Sequence, residues 1–442
     1  MPTDLDLAPF LAPFDYRPRT RVVFGVNSIE RVGELARGLD ARRVLLVTDR
    51  GIVAAGHAGR VKALLVAAGM RVTCFEQVQE NPTTRCVERC VEVARGGAVD
   101  AIVGLGGGSS MDTAKGCNFI LTNGGQMKDY WGIGRATRPM LPLLAIPTTG
   151  GTGSECQSFA LISDEQTHQK MACGDPKAAA RVALLDPALT LSQPARVTAC
   201  SGIDALAHAL ETLVTKPRTS LSLIFSREAF RLTISGLPRV IAAPADLEAR
   251  GSMLLGAAWA GTAIENSMLG AAHAAANPLT ANFGLIHGHA VGLMLPHVVR
   301  FNAREPAAAR AYAEAACAAR LALPAESPEA AAEHLAARLE SLLELAGLPR
   351  TLDHFGARPE DITRLADEAA RQWTAQFNPR PVRASEFQAL YAAAISSAPG
   401  PIHNVRTAGE GTAASPVVGG SKIEPSGTRP FPPLSGLGSA SA

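Results

Sequence analysis

Between Ser201 and Glu211 the sequence SGIDALAHALE sets Asp204 and His208 four residues apart. On a helix that spacing stacks a carboxylate and an imidazole on one face, where both can turn to one ion. Taken alone, such a pair is more often a salt bridge on a helix surface. Farther on, His273 and His287 flank the stretch ANPLTANFG, whose Asn, Pro and Gly favour a turn. A turn between two helices would bring both imidazoles to the same ion. One carboxylate with three imidazoles suits Fe²⁺ or Zn²⁺ and suits Mg²⁺ or Ca²⁺ poorly. His289 and His297 show that this stretch has histidines to spare.

A second chemistry lies in two small-residue loops. After an apolar run ending at Leu105 comes Gly106-Gly107-Gly108-Ser109-Ser110-Met111-Asp112-Thr113-Ala114-Lys115, which reads as strand, loop and helix. Three glycines remove the Cβ atoms that block close backbone approach, and free N–H groups at a helix N-terminus attract phosphate. The order matches neither G-x-x-x-x-G-K-[ST] nor G-x-G-x-x-G, and a tight turn with ordinary capping is the plainer alternative. The loop PTTGGTGSE, residues 147–155, follows the next apolar run, and its hydroxyls and glycines suit a nucleotide sugar or phosphate. Asp49 ends the run VLLVTD. A carboxylate there accepts hydrogen bonds from ribose hydroxyls and repels a 2′-phosphate, which favours NAD over NADP; a turn or helix-cap role is equally common at a strand end.

These residues need elements to hold them. Residues 43–48 (RVLLVT), 70–75 (MRVTCF), 100–105 (DAIVGL) and 141–146 (LPLLAI) alternate with helix-like stretches such as 88–95, and a last short run covers 181–185. That alternation predicts a parallel sheet covered by helices. After residues 193–202 the β-branched runs stop, and Ala/Leu/Glu/Arg-rich segments of helical period continue to about Ala394. The reading is an α/β domain over 1–192, an all-helical domain over 193–397, and a disordered Gly/Pro/Ser-rich tail over 398–442, which has too few large apolar residues for a core.

Composition narrows the function. In 442 residues, 42 Lys plus Arg balance 40 Asp plus Glu to a formal +2 without long runs of either sign, which argues against a nucleic-acid or membrane-surface partner. The eight cysteines show no C-x-x-C spacing and fit a reducing cytoplasm. Cys86 and Cys90, four apart in a helical run, read as core. No apolar stretch reaches the roughly 18 residues that span a bilayer, and the acidic start lacks the basic flank of a signal peptide.

Together these motifs resemble the iron-containing alcohol dehydrogenase family, in the superfamily that also holds glycerol dehydrogenase and dehydroquinate synthase. The resemblance runs from about Val22 to Ala394 through Glu80-Asn81-Pro82-Thr83, GGGSSMDTAK, IPTTGGTGSE, DALAHALE, the interval from His273 to His287, LPHVVRFN from Leu295, and Asn378-Pro379-Arg380-Pro381. It implies a Rossmann-like dinucleotide-binding domain, a helical domain, and a cleft between them with nicotinamide beside the metal. By motif, Asp204, His208, His273 and His287 would hold the metal. Gly107, Gly108 and Ser109 would hold the pyrophosphate, Asp112, Thr148, Thr149, Thr152 and Lys170 the nicotinamide half, and Asp49 the adenosine ribose; Asn81 would join these cofactor contacts. The family often carries a proton-relay His four residues after the third ligand, and here that position is Asn277. Asn cannot titrate near neutral pH, so protons would move through water, the ribose hydroxyl or His289.

The implied activity is hydride transfer between NAD(H) and a small alcohol or carbonyl, with the metal as Lewis acid, in a cytoplasmic homodimer or larger homo-oligomer. Alternatives are a maleylacetate reductase or hydroxyacid-oxoacid transhydrogenase, a dehydroquinate-synthase-like cyclase that returns the hydride, and a binder without turnover.

Overall fold

The structure, a computed structural model, describes residues 11–167 and 169–395. The tail expected over 398–442 lies outside the described residues. In chain order the strands are β1 (Arg21–Phe24), β2 (Arg43–Val47), β3 (Arg71–Phe75), β4 (Ala101–Gly106), β5 (Gly132–Ile133), β6 (Leu143–Pro147), β7 (Phe159–Ser163), β8 (Lys170–Gly174) and β9 (Val182–Leu185). Six of them form a sheet of order β1-β9-β6-β4-β2-β3, parallel throughout. β2 explains why such strands read as unbroken apolar runs. Val44 and Leu46 enter a core with Val61 and Leu65, while Leu45 and Val47 enter a second core with Val87 and Cys90 on the other face. Helices α1 (Val32–Arg37), α2 (Arg50–Ala54), α3 (His57–Ala67), α4 (Thr84–Gly97) and α5 (Gly108–Asn123) supply those covers.

Sheet order also places the loops. β2 continues to β3 on one side and, through β4, to β6 on the other, so the strand order reverses between β2 and β4. Ligands of such sheets bind beyond the carboxyl ends of the strands at that reversal. Asp49 follows β2, and Gly107 follows β4, on its two sides. The register pairs Gly106 with Pro147, so the glycine loop and the 147–155 loop leave the sheet side by side. A smaller sheet, order β5-β8-β7, adds a hairpin of β7 and β8, which the run pattern did not indicate.

The second half is helical: α6 (Ala195–Thr212), α7 (Ser220–Ala242), α8 (Leu247–Glu265), α9 (Ala271–Phe283), α10 (His287–Asn302), α11 (Pro306–Ala318), α12 (Pro328–Leu345), α13 (Ile362–Ala370) and α14 (Ala384–Ile395). The turn expected in ANPLTANFG is corrected. Helix α9 runs through Pro278 to Phe283, and the reversal occupies only residues 284–286. The alanines preceding Pro278 are strong helix formers, and the proline removes a single N–H. Gly284 at φ +65° then caps the end, in the left-handed conformation that glycine adopts without strain. All eight cysteines are free thiols, with Cys86 and Cys90 buried. Among the described residues no helix is long and apolar enough to cross a membrane.

Candidate metal and nucleotide site

Helix α6 carries Asp204, His208 and Glu211 at i, i+4 and i+7, one face over two turns. His273 lies in the first turn of α9 and His287 opens α10, so two helix starts converge on the middle of a third. The Asp204 Oδ1 atom stands 3.6 Å from His208 Nε2, 3.4 Å from His273 Nε2 and 3.9 Å from His287 Nε2. Ligand atoms of Asp204, His208 and His273 all lie within 4.8 Å of one another; His287 flanks this tight set. The rings of His208 and His273 stack at 4.7 Å, and those of His273 and His287 lie 5.4 Å apart.

A fold alone has no use for this crowding. Among the described residues Asp204 Oδ1 and His273 Nε2 are buried without a hydrogen-bond partner, a cost that a shared cation removes. The residues therefore fit a divalent iron. Burial pushes His208 down to about 4, with Asp204 opposing. Burial and then the Lys170 ammonium push His287 down to about 3. Both imidazoles are thus neutral ligands at neutral pH. Burial works against an anionic Asp204, yet His208, His273 and His287 hold its carboxyl well below the usual range.

The reading of the sequence missed Glu211. Its Oε2 lies 2.6 Å from His273 Nδ1, and its Oε1 accepts from the Ala272 N–H at 2.7 Å. In that contact Nδ1–H donates to the carboxylate, which leaves Nε2 facing Asp204. The available signal was its place on the Asp204 face, three residues after His208.

Close approach of α10 to α6 sets His287. A Cβ on Gly288 would lie 2.0 Å from the Cys200 carbonyl oxygen and 3.1 Å from Asp204 Cβ. Gly288→Ala must push the helices apart, and the expected loss is about 1–3 kcal/mol in urea-unfolding stability, with weaker metal retention. Wild-type values for both would remove the close-packing explanation.

Of the nucleotide residues, Gly107 caps α5, and among the described residues the N–H groups of Gly108 and Ser109 have no backbone acceptor, as an anion site requires. The two loops also pack together: a Cβ on Gly108 would lie 2.7 Å from Thr152 Cγ2, while Gly107 leaves ordinary contact distance to Thr149. Thr148 is buried and its N–H donates to the Gly106 carbonyl at 2.9 Å. Asp49 takes the capping role that a strand end offers. Its Oδ1 caps α2 by accepting from Ile52 N–H at 3.0 Å, while Oδ2 faces Gly106. Asn81 is exposed, at φ +51° before Pro82.

Asp112 accepts from Ser154 Oγ at 2.8 Å, and fully buried Lys115 donates to that same Oγ at 2.9 Å. Lys170 opens β8. Burial lowers its pKa, and both Asp112 and Asp204 lie near enough to oppose that shift.

Beside them Glu155 is buried with Oε1 unpartnered. Burial pushes it up to about 7, more than its own backbone contact and Lys115 pull it back. A carboxyl raised in the folded state adds stability that is full below its unfolded pKa and is lost as pH rises through about 7. Wild-type stability is expected to fall between pH 5 and pH 8 by about 2–3 kcal/mol from this group, and Glu155→Gln to flatten that fall. Equal slopes in urea titrations of the two proteins would refute it.

The position where the family often carries a relay His holds an amide. Asn277 Nδ2 donates to Gln372 Oε1 at 3.0 Å, an amide pair without a titrating proton. The expectation for His289 is corrected. Its Nε2 lies 2.8 Å from the Pro349 carbonyl and its ring meets Phe355 edge-on at 5.2 Å, and none of the four ligand candidates is among these partners. Two residues along a helix turn the side chain by roughly 200°, so His289 faces away where His287 faces in.

Residues 18–187 match the family described as iron-containing alcohol dehydrogenase, and residues 198–395 match the C-terminal region of the same family. The chain belongs to the iron-containing alcohol dehydrogenase family. It is an oxidoreductase of that family, with the parallel-sheet and helical domains that its motifs implied. It is 35% identical over 358 residues to the NAD-dependent methanol dehydrogenase of Bacillus methanolicus, covering 81% of this chain and 93% of the relative. Among solved structures, a 1,3-propanediol oxidoreductase superposes with a TM-score of 0.84 at 32% identity, covering 87% of this chain and 100% of that one. The sulfoacetaldehyde reductase of Bifidobacterium kashiwanohense in complex with NAD⁺ gives 0.78 at 26% identity, with coverage of 87% and 100%.

Proposed function

We propose that this family member interconverts a small alcohol and its aldehyde with NAD(H), and that Asp204, His208, His273 and His287 hold its divalent iron. The observation that carries the reading is the meeting of three imidazole Nε2 atoms around one buried carboxylate oxygen. When bound, the iron supplies Lewis acidity toward an alcohol or carbonyl oxygen and the nicotinamide accepts or returns hydride. The chain's own residues do the rest. Gly108 and Ser109 N–H groups receive the pyrophosphate, Thr149 and Thr152 hold the second loop against the first, and Asp49 Oδ2 receives the ribose and disfavours a 2′-phosphate. Asn277 and Gln372 fix one another, so they orient and do not relay a proton. The names of the methanol dehydrogenase and propanediol oxidoreductase relatives support a small alcohol as substrate. Free thiols support a cytoplasmic site. Phe24 and Val26, 47% and 52% exposed at the end of edge strand β1, support a second copy of the chain as partner.

The test is anaerobic purification, measurement of bound metal, and NADH absorbance with short and aromatic aldehydes before and after adding Fe²⁺ or Zn²⁺. Metal-dependent NADH loss with an aldehyde is expected. Tight metal and NADH binding with no turnover on any carbonyl would overturn the reading.

A further inference from the structure

A cavity of about 550 Å³ opens between the first turn of α6, the end of α7, Arg250 of α8, His289 of α10 and residues 346–355. None of the four candidate metal ligands lines it. Its charged or titratable lining groups are Arg196, Arg250, His289 and His354, and no carboxylate lines it. Val240, Ile241, Leu348 and Phe355 add an apolar wall.

Arg250 is the telling member. It is 3% exposed, and its Nε donates to the Pro244 carbonyl at 2.9 Å, while Nη1 donates to Thr198 Oγ1 at 3.0 Å and Gln193 Oε1 at 3.4 Å. All three acceptors are neutral. Among the described residues no carboxylate pairs with this guanidinium, and its hydrogen bonds to Pro244, Thr198 and Gln193 use Nε and Nη1. A buried cation without a counter-ion is costly, and a guanidinium edge matches the paired oxygens of a carboxylate or phosphate. The N–H groups of Ala195 and Arg196, at the start of an 18-residue helix, add positive potential at the same wall.

We propose that this cavity binds an organic oxyanion, a carboxylate or phosphate monoester with an apolar body, held by Arg250 and Arg196 against the Val240–Phe355 wall. Its volume lies in the range of small-molecule sites. The occupant rests on α6 and α10, the helices that carry Asp204, His208 and His287. A separate small cavity lined by Arg250 also touches Gly150 of the second nucleotide loop. The inference does not depend on the substrate proposed above.

The test is calorimetry on the full-length, metal-loaded protein saturated with NADH, which occupies the glycine loop, at ionic strength held constant with chloride. The probes are phenyl phosphate, benzoate and inorganic phosphate. One site per chain is expected, with phenyl phosphate or benzoate bound about tenfold more tightly than inorganic phosphate; which of the two binds better identifies the oxyanion. Arg196→Glu, at an exposed position, is expected to weaken binding about tenfold or more, and Arg250→Met to abolish it. Since Arg250 also ties three neighbours together, Arg196→Glu keeps the test decisive if Arg250→Met fails to fold. No saturable binding, as when a second copy covers the cavity, overturns the proposal. So does binding that survives Arg196→Glu, which places the anion elsewhere, including on the metal.

Discussion

Asp204→Ala is expected to fold, to lose its iron, and to lose turnover by roughly 10³-fold or more, the several kcal/mol that a Lewis acid contributes. Asp204 is the one anion in the candidate ligand set and the atom to which three Nε2 groups point. Without it three imidazoles face one another with nothing to offset a divalent charge. Asp204→Asn keeps the volume and hydrogen-bonding capacity but removes the charge, and should fail similarly. Metal content by elemental analysis, circular dichroism for folding, and NADH-linked turnover check the prediction together. Near-normal iron and turnover in a folded Asp204→Ala protein would remove Asp204 from the site.

How much of this was legible follows from the range of each signal. Asp204 and His208 stand out because four residues is a local helical spacing, and the glycine loop stands out because strand, loop and helix are contiguous. Their partners are not local. His273 lies 65 residues beyond His208, and only motif resemblance joined them; the structure joins them through the approach of α9 and α10 to α6. The order β1-β9-β6-β4-β2-β3 was equally out of reach, because alternating runs give strands without neighbours. β7 and β8 escaped notice because short strands around a polar turn carry little periodic signal, yet β8 delivers Lys170. Pro278 misled in the other direction, marking a break where buried alanines carry the helix through. His289 was misplaced because a histidine near a ligand looks available until helix geometry turns it away. Glu211 was overlooked for the opposite reason, since an acid on a helix is usually solvated; here it is 2% exposed.

Glu211→Gln gives the sharpest test of that residue, because two effects of its carboxylate oppose each other. The carboxylate fixes the His273 tautomer and raises the basicity of Nε2, and loss of such a partner weakens metal binding about 10–100-fold. The same charge favours a proton on His273 before iron binds. Burial disfavours that proton, but Glu211 and Asp204 prevail and lift His273 to about 9. Between pH 7 and pH 9 iron must therefore displace a proton, and wild-type affinity should rise about tenfold per pH unit. With Gln the amide oxygen can still accept from Ala272 N–H, but His273 loses its proton at lower pH and the affinity curve flattens earlier. The variant should bind 10–100-fold more weakly near pH 9, and the gap should narrow toward pH 7. Competition against a chelator across that range reads both the affinity and the slope. A structural tie to Ala272 alone would leave the slope unchanged, and identical curves for the two proteins would show that Glu211 does not act through His273.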